Sequence, residues 1–197
     1  MAEKTKGKLI ETMRLLLQQR GYAATGLNDV IRLSGAPRGS LYYHFPGGKE
    51  ELAIAAIRAS GEVMYDALEA ATSDADTPSE GLKATAGVVA GDLVGNDFAI
   101  GCPVATVALE MSAESEGLRI ACLEVYDRWL GLIQSRLESG GVAPPLSKVS
   151  ASFALSIIEG ALLLSRLKRS TEPLDSAMEI LGGFTVLLES GNLPLPR

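Results

Sequence analysis

The sequence is poor in the side chains from which metal centres and most catalytic sites are built. Its 197 residues include a single histidine, His44, and only two cysteines, Cys102 and Cys122, which do not have the spacing of metal ligands. It also contains no nucleophile elbow, phosphate-binding loop or cluster of metal ligands. The sequence therefore predicts a protein that is not an enzyme and that needs no metal and no cofactor.

Long hydrophobic runs are also missing. The longest leucine-rich run, residues 161–164, is far too short to span a bilayer, and the charged start MAEKTKGK leads into no signal-peptide core. We therefore expect a cytoplasmic protein with no membrane partner. Two cysteines make no disulfide framework, and we expect both to be reduced and buried. A redox sensor would need an exposed thiolate with a low pKa, and neither cysteine has a cation cluster beside it in sequence.

Apolar residues recur at helical spacing along the whole chain, and no alternating strand pattern is present. The pattern predicts an all-α protein of about nine helices. Two short helices lie between residues 27 and 45. The longer helices are expected at about residues 5–20, 49–71, 80–94, 103–112, 115–139, 147–169 and 174–190.

The most informative stretch is residues 27–52, which holds two short helices joined by a turn. The first carries an apolar side made by Leu27, Val30, Ile31 and Leu33. Ser34-Gly35 should end this helix, because glycine accepts the left-handed backbone of a helix C-terminus. Pro37 suits the first turn of the second helix, where Leu41 and Phe45 at i and i+4 should point inward. This pattern predicts a helix-turn-helix.

The outer face of that second helix carries one cation, one hydroxyl, two phenols and an imidazole within two turns. Its residues are Arg38, Gly39, Ser40, Tyr42, Tyr43 and His44. Such a surface is poor as protein core and suited to contacting phosphates and base edges.

The formal net charge of −6 divides unevenly along the chain. Residues 1–49 carry eight basic and three acidic side chains, whereas residues 50–197 carry ten basic and 21 acidic ones. A cationic head on an anionic body is typical of a DNA-binding protein with a separate regulatory domain, since phosphate contacts need local positive charge. Chance segregation of solvated charges would give the same numbers.

The run RGSLYYHF, after an amphipathic N-terminal helix and before FPGGKEEL, is similar to the signature of TetR-family transcriptional repressors. The extra glycine in PGGKEEL and the later GCPVATVALEMS resemble the LmrA and YxaF branch of that family. The resemblance implies a three-helix DNA-binding domain at residues 1–49. It also implies a helical domain for effector binding and dimerisation at residues 50–197, linked by the helix that starts at 49.

The resemblance implies double-stranded operator DNA as partner. The residues expected at the DNA are Lys6, Thr25, Arg38, Gly39, Ser40, Tyr42, Tyr43, His44 and Lys49. Two alternatives stay open: the Thr25 hydroxyl could cap the next helix, and Lys49 could pair with Glu50 or Glu51. Pro37 departs from the family pattern, because a Ser or Thr hydroxyl often contacts phosphate at that position.

The resemblance implies that the last two long helices, at about residues 147–190, pair with their symmetry mates as a four-helix homodimer interface. Their apolar stripes run beside small residues, and the glycines at 182 and 183 suggest close helix crossing. The alternative is that these faces pack only within the monomer.

A second group of side chains is suited to an apolar cavity for a small-molecule effector, although core packing is the more common use of such residues. The group comprises Phe98, Cys102, Val107, Glu110, Met111, Cys122, Tyr126, Trp129, Phe153 and Ile157. A carboxylate such as that of Glu110 on an otherwise apolar helix face needs a partner, although most such glutamates simply face water.

These features together predict a ligand-responsive repressor. It would bind a near-palindromic operator as a dimer and be released by a small hydrophobic or aromatic effector. The alternative is a helical small-molecule-binding or carrier protein that has kept the helix-turn-helix only as scaffold.

Overall fold

A computed structural model describes residues 2–73 and 75–190, and within these ranges the chain is built from nine helices with no strand. The helices are α1 Ala2–Arg20, α2 Leu27–Ser34, α3 Arg38–His44, α4 Gly48–Ser73, α5 Pro78–Gly95, α6 Pro103–Met111, α7 Glu116–Ser139, α8 Pro144–Lys168 and α9 Glu172–Glu189. The predicted all-α class is confirmed.

Most helix ends lie within two or three residues of their predicted positions, and the largest differences are at the starts of α1 and α8. Helix α8 begins at Pro144 rather than at residue 147, because Pro144 and Pro145 occupy its first turn, where a backbone N–H is not needed. Helix α9 similarly carries Pro173 in its first turn. Helix α1 starts at Ala2, three residues before its predicted start at residue 5.

The chain divides into two compact units. The first consists of Met1–Met64 and Ile100–Tyr126, in which α1 packs against α2, α3 and α6. Its core includes fully buried side chains from four of these helices: Leu9, Met13 and Leu17 of α1, Val30 of α2, Leu41 of α3 and Val104 of α6. The compact units divide after Met64, within α4, and the functional boundary at residue 49 stays a prediction. Helix α6 and the start of α7 belong with the helix-turn-helix, because α6 packs on α1.

The second unit consists of Tyr65–Ala99 and Asp127–Arg197, in which α5, α8 and α9 pack together. A capping box starts α5: Thr77 Oγ1 accepts the Glu80 N–H, and the Glu80 carboxylate accepts the Thr77 N–H. The expected close crossing at Gly182 is with α5, since a Cβ there would lie 3.0 Å from Ser79 Oγ. A Cβ at Gly183 would meet nothing within 4 Å.

Helix α8 is the one helix in the described residues that is long and apolar enough to cross a membrane by length and composition alone. Its apolar side chains fall on two faces. Ala151, Ala154, Ile158 and Ala161 are buried in the second unit, whereas the opposite side is exposed. One buried face against other helices is the pattern of a helix in a globular fold.

Gly61 offers a direct test of packing in the first unit, because a Cβ placed on it would lie 2.6 Å from Val125 Cγ2. We expect Gly61→Ala to lower the free energy of unfolding by roughly 1–3 kcal/mol, since overpacking outweighs the gain in helix propensity. The measurement is chemical denaturation followed by circular dichroism.

Gly87→Ala is the matched control, because Gly87 lies in the middle of α5, is exposed, and a Cβ there meets nothing within 4 Å. This variant should gain about 0.5–1 kcal/mol. Equal effects of the two alanines would contradict the tight contact between Gly61 and Val125.

Candidate nucleic-acid interface

The turn between α2 and α3 is fixed by local backbone chemistry. Gly35 has φ +65°, the left-handed conformation that ends α2 without strain. The Ser34 hydroxyl donates to the Ile31 carbonyl and accepts the Ala36 N–H, so it ties both sides of the turn. Pro37 then stands at the N-cap of α3, one position earlier than predicted. The predicted end of α2 at Ser34-Gly35 is confirmed.

The inner face of the two helices is closed by three apolar side chains. Val30, Leu41 and Phe45 are at most 3% exposed, as the i and i+4 spacing predicted. Leu33 was expected on the same side, but it is 53% exposed. It lies one residue before buried Ser34, and successive residues of a helix are rotated by about 100°, which turns Leu33 out of the interface.

The outer face of α3 is open. Tyr42 is 48% and Tyr43 78% exposed, and Arg38 and Gly39 are also exposed, while Ser40 and His44 are half-buried. The Tyr43 and His44 rings contact edge to face at 5.0 Å between centroids. This contact places two aromatic rings with polar atoms side by side on the exposed face of a short helix.

The cations around α3 differ in how far they are already neutralised. Arg20 and Arg32 both donate to the Asp29 carboxylate, at 2.7 and 2.8 Å. Hydrogen bonds from Arg32 and Arg20 hold the pKa of Asp29 below its usual value. Among the described residues, neither Arg38 nor Lys6, half-buried on α1, has an ion-pair partner. The guanidinium of Arg38 is therefore the positive charge that α3 offers to a ligand.

Residues 21–26, the connector between α1 and α2, form a hydrogen-bonded turn. Gly21 has φ +76°, and the Thr25 N–H donates to the Tyr22 carbonyl. The Thr25 side chain is fully buried, and its hydroxyl donates to the Gly21 carbonyl at 2.6 Å. Helix α2 is capped at Gly26 without a side-chain hydrogen bond. The structure therefore contradicts both expectations for the Thr25 hydroxyl, a phosphate contact and a helix cap, because it is already used inside the turn.

The connector is held by α6. The Glu110 carboxylate accepts the backbone N–H groups of Tyr22, at 2.6 Å, and of Ala23, at 3.0 Å. Glycine is needed at position 21 for its positive φ, and a Cβ there would also displace the Glu110 carboxylate from its present position. Glu110 was expected in an effector pocket. The structure corrects this, because the carboxylate lies at the connector, where two N–H donors satisfy it.

Lys49 lies in the first turn of α4, as predicted. Its Nζ is 4.0 Å from the centroid of the Tyr22 ring, a cation–π contact. Burial lowers the pKa of the Lys49 ammonium, and the nearby Glu110 carboxylate opposes that shift. Neither neighbouring glutamate is its partner: Glu50 accepts the Ser115 hydroxyl at 2.7 Å, and Glu51 accepts the Gly47 N–H at 2.8 Å.

The residues predicted for the effector pocket fall in both units. Cys102, Val107, Met111, Cys122 and Tyr126 lie in the first unit, and Phe98, Trp129, Phe153 and Ile157 in the second. Val107, Cys122 and Trp129 are buried, as cavity walls or ordinary core residues would be.

Phe153 is 46% exposed and packs on Phe184 of α9, 5.3 Å between ring centroids, so it lies on the outer side of α8. Ile157 lines a surface groove of about 480 Å³ between α8 and α9, together with Gly160, Leu164 and Lys168. Cys102 is half-buried and its sulfur accepts the Ala105 N–H at the start of α6. Burial raises the pKa of the Cys122 thiol to about 11, which disfavours the thiolate that a redox sensor needs.

Two segments of the chain match known protein families. Residues 9–56 match the bacterial regulatory proteins of the tetR family, and residues 78–180 match the C-terminal domain of LmrA/YxaF-like transcriptional regulators. The chain is 37% identical over 174 residues to the HTH-type transcriptional regulator LmrA of Bacillus subtilis, covering 86% of this chain and 90% of that protein.

Two further proteins extend the comparison. The uncharacterized HTH-type transcriptional regulator YxaF of Bacillus subtilis is 33% identical over 170 residues, which cover 86% of this chain and 89% of YxaF. The crystal structure of a regulatory protein TetR from Rhodobacter sphaeroides superposes with a TM-score of 0.79 at 23% identity, over 90% of this chain and 96% of that one.

Arg38 and Arg32 provide a matched pair of cations for testing the interface. We expect Arg38→Ala to weaken binding to a preferred duplex and to relax the preference at the base pair it contacts, at a cost of about 1–3 kcal/mol. Arg32→Ala should change affinity much less, because its guanidinium is held by Asp29. Fluorescence anisotropy with a panel of single-base operator variants measures both. An equal loss on every duplex would instead make Arg38 a phosphate contact.

Proposed function

The chain belongs to the TetR family of bacterial regulatory proteins, with an LmrA/YxaF-like C-terminal domain, and from this we propose that it is a ligand-responsive repressor. It is a DNA-binding transcriptional regulator, and members of this family are soluble proteins rather than enzymes. Our proposal adds three properties: a near-palindromic operator, a homodimer, and release by a small hydrophobic or aromatic effector.

The observation that carries the DNA-binding part is the unoccupied surface of α3. Arg38 has no ion pair among the described residues, and the phenols of Tyr42 and Tyr43 are exposed beside it. The neighbouring cations Arg20 and Arg32 are both paired with Asp29. A polar, cationic helix face with no partner inside the protein is suited to base edges and phosphates in a major groove. We place Lys6, Gly39, Ser40, His44 and Lys49 beside it as further DNA contacts.

The dimer rests on the outer sides of α8 and α9. Exposed apolar side chains form a stripe on each helix: Val149, Phe153, Leu164 and Leu167 on α8, and Ile180 and Leu187 on α9. Gly160 and Gly183 lie along the same stripes, and a Cβ on either would meet nothing within 4 Å. A contiguous apolar surface with small residues favours close packing of a second copy. We propose that this face, defined by these eight residues, is the homodimer interface.

The effector part rests on the apolar and aromatic side chains already described. Within the first unit, Val107 and Cys122 are buried, and Met111 and Tyr126 are partly buried, a composition that suits flat apolar ligands. We propose that the ligand stabilises one arrangement of the two DNA-binding domains over the other. A coupling free energy of about 1–3 kcal/mol would change operator affinity roughly 5- to 150-fold. That range is sufficient to release a repressed gene.

Selection from a pool of random duplexes at low ionic strength tests the operator. We expect recovery of a near-palindrome whose half-sites are separated by about one helical turn, roughly 10 base pairs, or a small multiple of it. This spacing follows because a twofold dimer presents two copies of α3 in fixed register. Recovery of no duplex would support a helical carrier that keeps the motif only as scaffold, and recovery of a single half-site would contradict the dimer.

Leu164→Glu tests the homodimer interface directly. Leu164 is 51% exposed on α8, so a carboxylate there should leave the subunit folded but should be costly in a dry interface. We expect sedimentation velocity at micromolar concentration to show dimer for the natural sequence and monomer for the variant. Leu109→Glu is the control, because Leu109 is 88% exposed on α6 and lies off the interface. A dimer that survives Leu164→Glu would place the interface elsewhere.

A further inference from the structure

We propose that Glu110 is a positioning residue for DNA reading: its carboxylate fixes the connector of residues 21–26 and, through it, the orientation of α2 and α3. The inference rests on the proposed function, because it assigns a role in reading DNA to a residue that does not touch the DNA. It depends on three contacts within the first unit.

The first is the pair of hydrogen bonds to consecutive backbone N–H groups. Glu110 Oε2 accepts from both Tyr22 and Ala23, immediately after Gly21 in its left-handed conformation. Consecutive N–H groups beside a left-handed residue form a small anion-binding concavity, here filled by a side chain from a distant part of the sequence. Hydrogen bonds to a charged group are stronger than those between neutral groups, so the carboxylate holds the connector more firmly than an amide would.

The second is the attachment of the other end of α6 to the same region. The Gly101 N–H, just before α6, donates to the Gln18 carbonyl in the last turn of α1. Both ends of α6 are thus hydrogen-bonded to residues 18–23. A displacement of α6 must either carry the end of α1 with it or break these bonds.

The third is the position of Tyr22, which links three helices. Its backbone is held by α6 through Glu110, its ring lies under the Lys49 ammonium at the start of α4, and it lies two residues after the end of α1. Helix α6 also carries Val107 and Met111, which we predict to meet the effector. A carboxylate at the end of that helix is therefore placed to transmit its position to the DNA-reading helices.

The direction of the effect follows from pre-organisation. A connector held in one geometry leaves less ordering to be done when α3 enters the groove, whereas a loose connector must be ordered at the moment of binding. Loss of the contact should weaken binding to the preferred duplex, where geometry matters, and leave binding to an unrelated duplex nearly unchanged. Removal of a negative charge alone would strengthen binding to both duplexes, which is the opposite sign.

The experiment compares Glu110→Gln with the natural sequence on two probes, the duplex recovered by selection and a scrambled duplex of the same length. We expect the dissociation constant for the selected duplex to rise about fivefold or more, the low end of typical coupling, with less than about a twofold change for the scrambled one. Glu114→Gln is the control. It removes the same charge in the turn after α6, and Glu114 makes no side-chain hydrogen bond among the described residues.

A second variant breaks the same contact from the other side. Gly21→Ala should collide with Glu110 and is also strained by its φ, so Gly141→Ala serves as its control, with φ +92° and nothing within 4 Å. Gly21→Ala should reduce the ratio of selected to scrambled affinity as Glu110→Gln does, and the double variant should be no worse than Gly21→Ala alone, because both remove one contact.

Three results would overturn the proposal. They are an unchanged affinity of Glu110→Gln for the selected duplex, an equal loss on both duplexes, and additive effects in the double variant. Failure of the natural protein to select any duplex would appear before a variant is made. That result would overturn the proposed function together with this inference.

Discussion

The surface available for reading DNA depends on the burial of Leu41 and Phe45. Helix α3 has seven residues, too few to be stable alone in water, so its helicity comes from packing. These two side chains, both nearly inaccessible to solvent, supply that packing against the rest of the head. Because Leu41 and Phe45 occupy the inner face, Arg38, Tyr42 and Tyr43 are not needed for packing. One apolar contact pair thus fixes the helix and leaves its other face for recognition.

The basic side chains near α3 are also divided, between those paired within the protein and one left available. The protein as a whole is acidic, yet its first 49 residues have an excess of basic side chains. Not all of these basic side chains are equally available. Asp29 neutralises two arginines next to α3, whereas Arg38 has no ion pair among the described residues. Arg20 links α1 to α2 through Asp29, and the unpaired Arg38 is available to a ligand. Local pairing, more than net charge, determines which cations can reach a phosphate.

Regular local signals made much of the fold predictable. Apolar residues at helical spacing, glycines after helices and the i, i+4 apolar pair located the nine described helices and the turn before α3. Contacts between distant segments could not be predicted in this way. The sequence singles out Glu110 as a carboxylate on an otherwise apolar helix. Its partners, the N–H groups of Tyr22 and Ala23, are 88 and 87 residues away, and no local pattern points to them. Thr25 was misassigned because a hydroxyl that serves its own turn resembles one that faces outward.

The exposed apolar stripe on α8 affects how a newly synthesised chain behaves before it assembles. In the proposed homodimer, a subunit that has not yet paired exposes Val149, Phe153, Leu164 and Leu167, an apolar surface that can adhere to other incompletely assembled proteins. Pairing soon after synthesis, between chains translated from the same messenger, would shorten that exposure. Where most subunits are unpaired, the concentration of dimer would also rise more steeply than the total concentration of polypeptide.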